Sequence, residues 1–288
     1  MLITVWTGIA VGSIYVLTAL ALTIPYLASG VFNFAQPAVL ALGTFLAYWL
    51  RTEHQMPIAV VIVASAAICF AVGAIVEILA IRPLAGSGVH GELVTTLGAA
   101  VIIEGVILRV WGPDPRRVDF LASTDTVSVL GGELLPIELL LIGVALISIL
   151  VTHLVLRRTL VGLACLASAE DRQAAMLRGI DVNRLSMWAF AVAGALCGAI
   201  GVVVGAKTFA VFDLGNALVV FAFVALAIGG FGSVGGALIG GLAVGVIQQL
   251  TVRYLGIDWA QIVIFFVLVT VLLVRPNGLF GVRAMRTV

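Results

Sequence analysis

Charge is what this chain has least of. Its 288 residues carry 15 Lys and Arg and 14 Asp and Glu, 10% of the chain, where ordinary soluble domains run to roughly 25%. The first 50 residues hold no Lys, Arg, Asp, Glu or His, and Arg51 is the first charged side chain. A soluble globule must cover its surface with polar groups. A chain that is 62% hydrophobic with mean hydropathy +1.26 has too few of them. A soluble enzyme and a disordered scaffold are excluded. Lysine is almost absent, Lys207 alone, and a net charge of +1 leaves no basic field for nucleic acid. Cysteine is scarce and odd in number. Cys69, Cys165 and Cys197 sit in apolar or basic stretches, with neither a disulfide framework nor metal-ligand spacing, and read as small hydrophobes. The N-terminus has no basic run, and its hydrophobic sequence continues far beyond a signal peptide, so it reads as retained.

What the chain has instead is long apolar runs. A spanning helix needs about 20 mostly apolar residues. Seven candidates are Leu2–Leu27, Pro57–Ile81, Leu93–Trp111, Leu134–Leu156, Leu185–Ala206, Ser233–Val252 and Ile257–Val274. Two shorter segments, Pro37–Leu50 and Leu214–Phe231, are bounded by Gly, Pro or Asn. The runs are continuous rather than alternating, which selects helices over a barrel. The expected fold is an all-α polytopic membrane protein, a bundle of about 8–9 transmembrane segments, some broken or re-entrant. It is read as one transmembrane domain over 1–288.

Arginine sets the orientation. Arg157, Arg158, Arg172, Arg178 and Arg184 crowd one loop, 157–184, and Arg275, Arg283 and Arg286 lie after the last span. Placing both in the cytoplasm requires an even number of crossings between them, and four segments lie there. The 112–133 loop then falls outside. The charge-free start leaves the side of the N-terminus open.

Glycine recurs at helical spacing in Gly194, Gly198, Gly201 and Gly205, and in Gly232, Gly236, Gly240, Gly241 and Gly245. In a membrane such residues let helix backbones approach closely. The two short segments are flanked by Ser29-Gly-Val-Phe-Asn-Phe-Ala-Gln-Pro37 and by Gly229-Gly-Phe-Gly-Ser-Val-Gly-Gly236. Short, Gly/Pro-interrupted segments in the two halves of a chain point to broken helices around a solute path. A break frees backbone N–H and C=O groups, which a polar ligand, water or side chains such as Asn33, Gln36 and Ser233 must satisfy. Asn33, Phe34, Gln36, Ser233 and the mid-span Glu104 are therefore the candidate path residues. Glu104 must face protein or water, or be protonated; a hydrogen bond to a neighbouring helix is the simpler role. Glu77, near a span end, is expected to reach the interface.

Two near-motifs fail. Gly201-Val-Val-Val-Gly-Ala-Lys-Thr208 has Ala206 where a phosphate loop needs its second glycine, and it closes a helix instead of following a strand. Gly232-Ser-Val-Gly235 lacks the glycine before it that a serine-nucleophile turn requires. Any fuel would have to be bound by another chain.

Within 157–184, Ala169 to Arg178 reads as a short helix with Glu170 and Asp171 in its first turn and Gly179 as its stop. Its small face, Ala174 and Ala175, suits docking into a partner's groove.

The sequence resembles the permease subunits of bacterial ABC importers for branched-chain amino acids and related small molecules. The resemblance runs along nearly the whole chain. It rests on Gly12-Ser-Ile-Tyr15, Asn33-Phe-Ala-Gln36, Arg82-Pro-Leu84, Thr96-Leu-Gly98, Ala174-Ala175 with Gly179-Ile180, Gly229-Gly-Phe-Gly-Ser233, Gly236-Ala237 with Gly240-Gly241, and Arg275-Pro-Asn-Gly-Leu-Phe-Gly281. Pro37 departs from it, standing where the family usually has glycine. The resemblance implies a multi-pass permease of the bacterial inner membrane, not itself an enzyme. It implies a second related permease, two cytoplasmic ATPases that carry ATP and Mg, and an extracytoplasmic binding protein, with no cofactor on this chain. By position it implies ATPase coupling through Ala174, Ala175, Gly179 and Ile180, with Glu170 and Arg172 as a polar rim. The alternative is an ion-coupled carrier or channel, against which stands Glu104 as the one deep carboxylate.

Overall fold

The computed structural model describes residues 1–84, 89–120, 126–129, 132–275 and 278–280. Long apolar runs with no hydrogen-bonding partner in lipid satisfy their own backbone by coiling. The described residues accordingly form helices almost throughout. In chain order these are α1 (Leu2–Ser29), α2 (Gln36–Ala47), α3 (Ile58–Val76), α4 (Val89–Trp111), α5 (Pro136–Arg158), α6 (Leu160–Glu170), α7 (Arg172–Leu177), α8 (Val182–Thr208), α9 (Leu214–Gly229), α10 (Val234–Leu255) and α11 (Ile257–Val274). Between α4 and α5 lies a two-stranded antiparallel hairpin, β1 (Val127–Val129) and β2 (Gly132–Leu134).

Among the described residues, seven helices are long and apolar enough to cross a membrane: α1, α3 with its π-helical extension to Ile81, α4, α5, α8, α10 and α11. They are the seven spans expected from hydropathy. The two doubtful segments are the short helices α2 and α9. The widened turn Tyr48–Glu53 lengthens α2. The chain is an all-α, multi-pass membrane protein.

The helices cluster into two compact units. In the unit of residues 21–122 and 154–219, α8 is the axis, with α3 and α2 packed along it. Glycine permits this. A β-carbon on Gly198 would run into the carbonyl oxygen of Ser65, and one on Gly194 into that of Cys69. The side chains of Phe45 and Phe190 are fully buried here. The widened turn after α2 meets the stretch after α4, where the Thr52 hydroxyl accepts the Asp119 N–H at 3.1 Å. Arg116 and Ala210 exchange two backbone hydrogen bonds of 2.9 and 2.8 Å. The ends of α2, α4 and α8 therefore share one side.

In the unit of residues 1–20, 123–153 and 220–288, the first half of α1 packs on α10. A β-carbon on Gly12 would lie 2.9 Å from the Gly241 carbonyl oxygen. Tyr15 stacks on Phe221 and donates its hydroxyl to Gln248. The break after α9 leaves carbonyls that its own helix cannot use. The Leu279 and Phe280 N–H groups donate to Ile228 and Gly229 at 2.8 and 2.9 Å. Part of the closing motif, Pro276, Asn277 and Gly281, lies outside the described residues, as do Arg283 and Arg286.

Candidate functional site

Two groups of functional interest lie in the α8-centred unit. The first surrounds the starts of the two short helices. Gly30 ends α1 with φ +76°, and the chain turns back to begin α2 at Gln36. The freed groups are met by side chains. Asn33 Oδ1 accepts the Ala35 N–H at 3.1 Å, Asn33 Nδ2 donates to Gln36 Oε1 at 2.9 Å, and Gln36 Nε2 donates to Cys197 Sγ at 3.4 Å. Asn33, Gln36 and Cys197 are completely buried. Asn33 and Gln36 thus hold the break closed rather than face open space. Pro37 falls in the first helical turn, where no intrahelical N–H is needed. Its departure from the family pattern costs the helix nothing. Phe34 is half-buried, with its ring edge-on to Phe32 at 6.5 Å.

The second short helix begins at the same place. A β-carbon on Gly215 would lie 2.9 Å from both Cα and N of Ala38, so the N-terminal ends of α9 and α2 meet. Two short helices whose positive ends converge inside a membrane bundle form the arrangement that solute sites use. Glu104 of α4 joins them by accepting a hydrogen bond from Asn216 Nδ2 at 3.0 Å. Its other oxygen, Oε1, is buried without a hydrogen-bond partner. Asp213 acts on Glu104 electrostatically. Sequence reading found Asn33, Gln36 and Glu104 but missed Gly215, Asn216 and Asp213. A single Asn beside one Gly carries no pattern until the fold brings Glu104 to it.

Ser233 lies in the other unit, at the start of α10. Its Oγ accepts the Gly236 N–H at 3.0 Å, an N-cap. This is the backbone-satisfying role expected of it beside the second break. Ser233→Ala should cost about 1 kcal/mol, read as a lower unfolding midpoint in detergent while Ser233→Asp holds the parent value.

The second group is the 157–184 stretch, and here the expected helix is corrected. Glu170 ends α6 and Asp171 lies between two helices, where its Oδ1 accepts the Gln173 and Ala174 N–H groups at 2.9 and 3.0 Å. Asp171 is the cap of α7 rather than part of its first turn. A polar side chain able to cap divides what hydropathy alone joins. Gly179 stops α7 with φ +86°; its N–H donates to Met176 and that of Ile180 to Ala175, the paired closure of a glycine C-terminus.

The small face lies partly within the chain. Ala175 is 3% exposed and points into its own chain, and Ala174 is half-buried. The groups presented outward are Leu177, 89% exposed, and Met176. Sequence reading passed over them because it sought small residues. Glu170 and Gly179 are exposed, and Arg172 and Ile180 half-buried. Arg172 donates to Asn183 Oδ1 at 3.1 Å. Glu77, expected at the interface, is buried, paired with Arg82 at 3.2 Å and bonded to Ser186; Arg172 also acts on it electrostatically. Arg82 is nearly half exposed, so the pair keeps one end in solvent. Cys165 packs with Ala28 and Ala189, and burial pushes its thiol up to about 11. It therefore stays protonated, and inert as a nucleophile, at neutral pH.

The described residues thus form a multi-pass helical bundle in which two short helices start beside a mid-span carboxylate, with a capped, apolar-tipped helix between spans. The chain matches the family described as "Branched-chain amino acid transport system / permease component" over residues 4–272, and it belongs to that family. Among similar proteins, the high-affinity branched-chain amino acid transport system permease protein LivH of Escherichia coli K12 is 27% identical, over 96% of this chain and 94% of its own. BraD of Pseudomonas aeruginosa, named in the same words, is 28% identical over 95% and 94%. The probable branched-chain amino acid transport permease protein LivH of Methanocaldococcus jannaschii is 28% identical over 96% and 91%. A solved chain from PsaBC of Streptococcus pneumoniae, in complex with Fab, shares the fold with TM-score 0.50 and 11% identity, over 98% of this chain and 92% of that one. The protein is a multi-pass permease subunit of the inner membrane.

Proposed function

We propose that this chain is the permease subunit of an ATP-driven importer that moves branched-chain amino acids or a related small amphipathic solute. It pairs with a second, related permease. Two cytoplasmic ATPases bind ATP and Mg and drive the cycle, an extracytoplasmic binding protein delivers solute, and this chain itself holds no cofactor. The observation that carries the reading is α7, six residues capped at both ends with Leu177 held in solvent. A short, rigid helix that offers a bare leucine tip beside Arg178 is built to enter a groove on another protein. Glu170, Gly179 and Ile180 flank α7 in sequence and Arg172 opens it, while Ala175 is buried in its own chain.

Arginine-rich 157–184 lies inside by its charge. The last turns of α1, at Ile24 and Ala28, pack with Leu156, Cys165, Leu185 and Ala189 on that side. A 28-residue helix that ends inside begins outside. The solute path runs past Glu104 and Phe34, where the two short helices start. Asn33 and Gln36 keep that break in shape, and Ser233 keeps the second. Co-expression with the neighbouring transport components should yield a stable complex whose leucine uptake in proteoliposomes stops when the ATPase is disabled. Full uptake by this chain alone would overturn the reading in favour of a self-sufficient carrier.

A further inference from the structure

Glu104 lies seven residues before the end of α4, about 10 Å along its axis at 1.5 Å per residue. A carboxylate at that depth cannot face hydrocarbon, because desolvation costs it several kcal/mol. Arg109, five residues on, projects from a different face of α4, since five residues make one full turn and roughly 140° more. The ion pairs among the described residues are Arg82–Glu77 and Arg184–Asp181, neither of which includes Glu104. Its electrostatic neighbour is another acid, Asp213. Asn216 holds one carboxylate oxygen at 3.0 Å, and the other has no partner. An oriented, half-satisfied carboxylate beside a second acid at membrane depth has the chemistry of a cation receptor.

We propose that Glu104, oriented by Asn216, is the station on the translocation path that takes the ammonium group of a zwitterionic solute. The proposal rests on the permease reading and names the group that the path selects. The cation arrives with the solute and leaves with it, so the site needs no resident counter-ion. Asn216 is a positioning residue: it fixes one oxygen so that the other points to the passing ammonium.

Two measurements test this on the purified complex. In proteoliposomes, Glu104→Gln should cut leucine uptake at least tenfold while the complex assembles and its ATPase still responds to the binding protein; Glu104→Asp should keep uptake within about threefold. In detergent without nucleotide, 3-methylbutylammonium should raise the unfolding midpoint of the parent complex but not of Glu104→Gln. The uncharged 3-methylbutanol should raise neither. The proposal falls if Glu104→Gln takes up leucine within twofold of the parent, which marks a protonated structural carboxyl. It also falls if that variant fails to assemble, which marks a subunit contact, or if the ammonium probe acts equally on both proteins. A carboxylate-dependent probe effect together with uptake that ignores the ATPase would keep this site and overturn the importer reading.

Discussion

Leu177→Asp should abolish coupled uptake while leaving the bundle folded. Leu177 is 89% exposed, so its replacement removes no core packing, and surface changes of this kind stay within about 0.5 kcal/mol of the parent stability. In the complex the same side chain must lose its water in an apolar groove, where an aspartate is left charged and unpaired. A tenfold or greater loss of uptake is expected, with ATPase activity no longer stimulated by the binding protein and an unchanged unfolding midpoint for the isolated chain. Met176→Asp should show the same pattern more weakly, because Met176 is about half exposed already. Ala175→Arg, the substitution suggested by the small-face reading, should instead lower the yield of folded protein, because Ala175 is buried against its own chain. Normal coupling in Leu177→Asp would show that the tip of α7 makes no contact that matters.

Gly198→Val should prevent the α8-centred unit from forming. A β-carbon at that position falls on the carbonyl oxygen of Ser65 and crowds Ala66 Cα. These are backbone atoms of α3 that cannot rotate away. Overpacking usually costs about 1–3 kcal/mol, and a clash between two helix backbones exceeds that range because the helices must separate along their length. The expected readout is loss of the monodisperse peak in detergent gel filtration, not a shifted one. Gly143→Ala is the matched control, since a β-carbon on Gly143 meets nothing within 4 Å. A monodisperse Gly198→Val protein with the parent's unfolding midpoint would show that α3 and α8 are not held by that contact.

The pairing of Gly198 with Ser65 illustrates how far the sequence reached. Spacing at every third and fourth residue marked Gly194, Gly198, Gly201 and Gly205 as a close-packing face. It could not name the neighbour, because glycine spacing describes one helix and says nothing of the surface that meets it. Glu77 was misread for a related reason. Its place near a span end suggested an interfacial carboxylate, but the π-helical turns after Val76 and the approach of α8 bury it against Arg82 and Ser186. Likewise Ala169 to Arg178 reads as one helix by hydropathy. The local competition of Asp171 for two backbone N–H groups divides it.

Scarcity of charge, continuous apolar runs and clustered arginines determined the solvent, the helical class, the seven spans, the two broken segments and the arginine-rich loop at 157–184. Those properties follow from transfer free energies and backbone hydrogen bonding, which act residue by residue and can be summed along a chain. The tertiary structure decided which surfaces those residues present. It turned Ala175 inward and Leu177 outward, closed Asn33 on Gln36, and brought the start of α9 to the start of α2 with Asn216 on Glu104. Each depends on contacts between segments remote in sequence, whose geometry is set by the packing of whole helices. The few charges with which the chain is so sparing are informative because of this: one of them, Glu104, is held in place by an asparagine more than a hundred positions away.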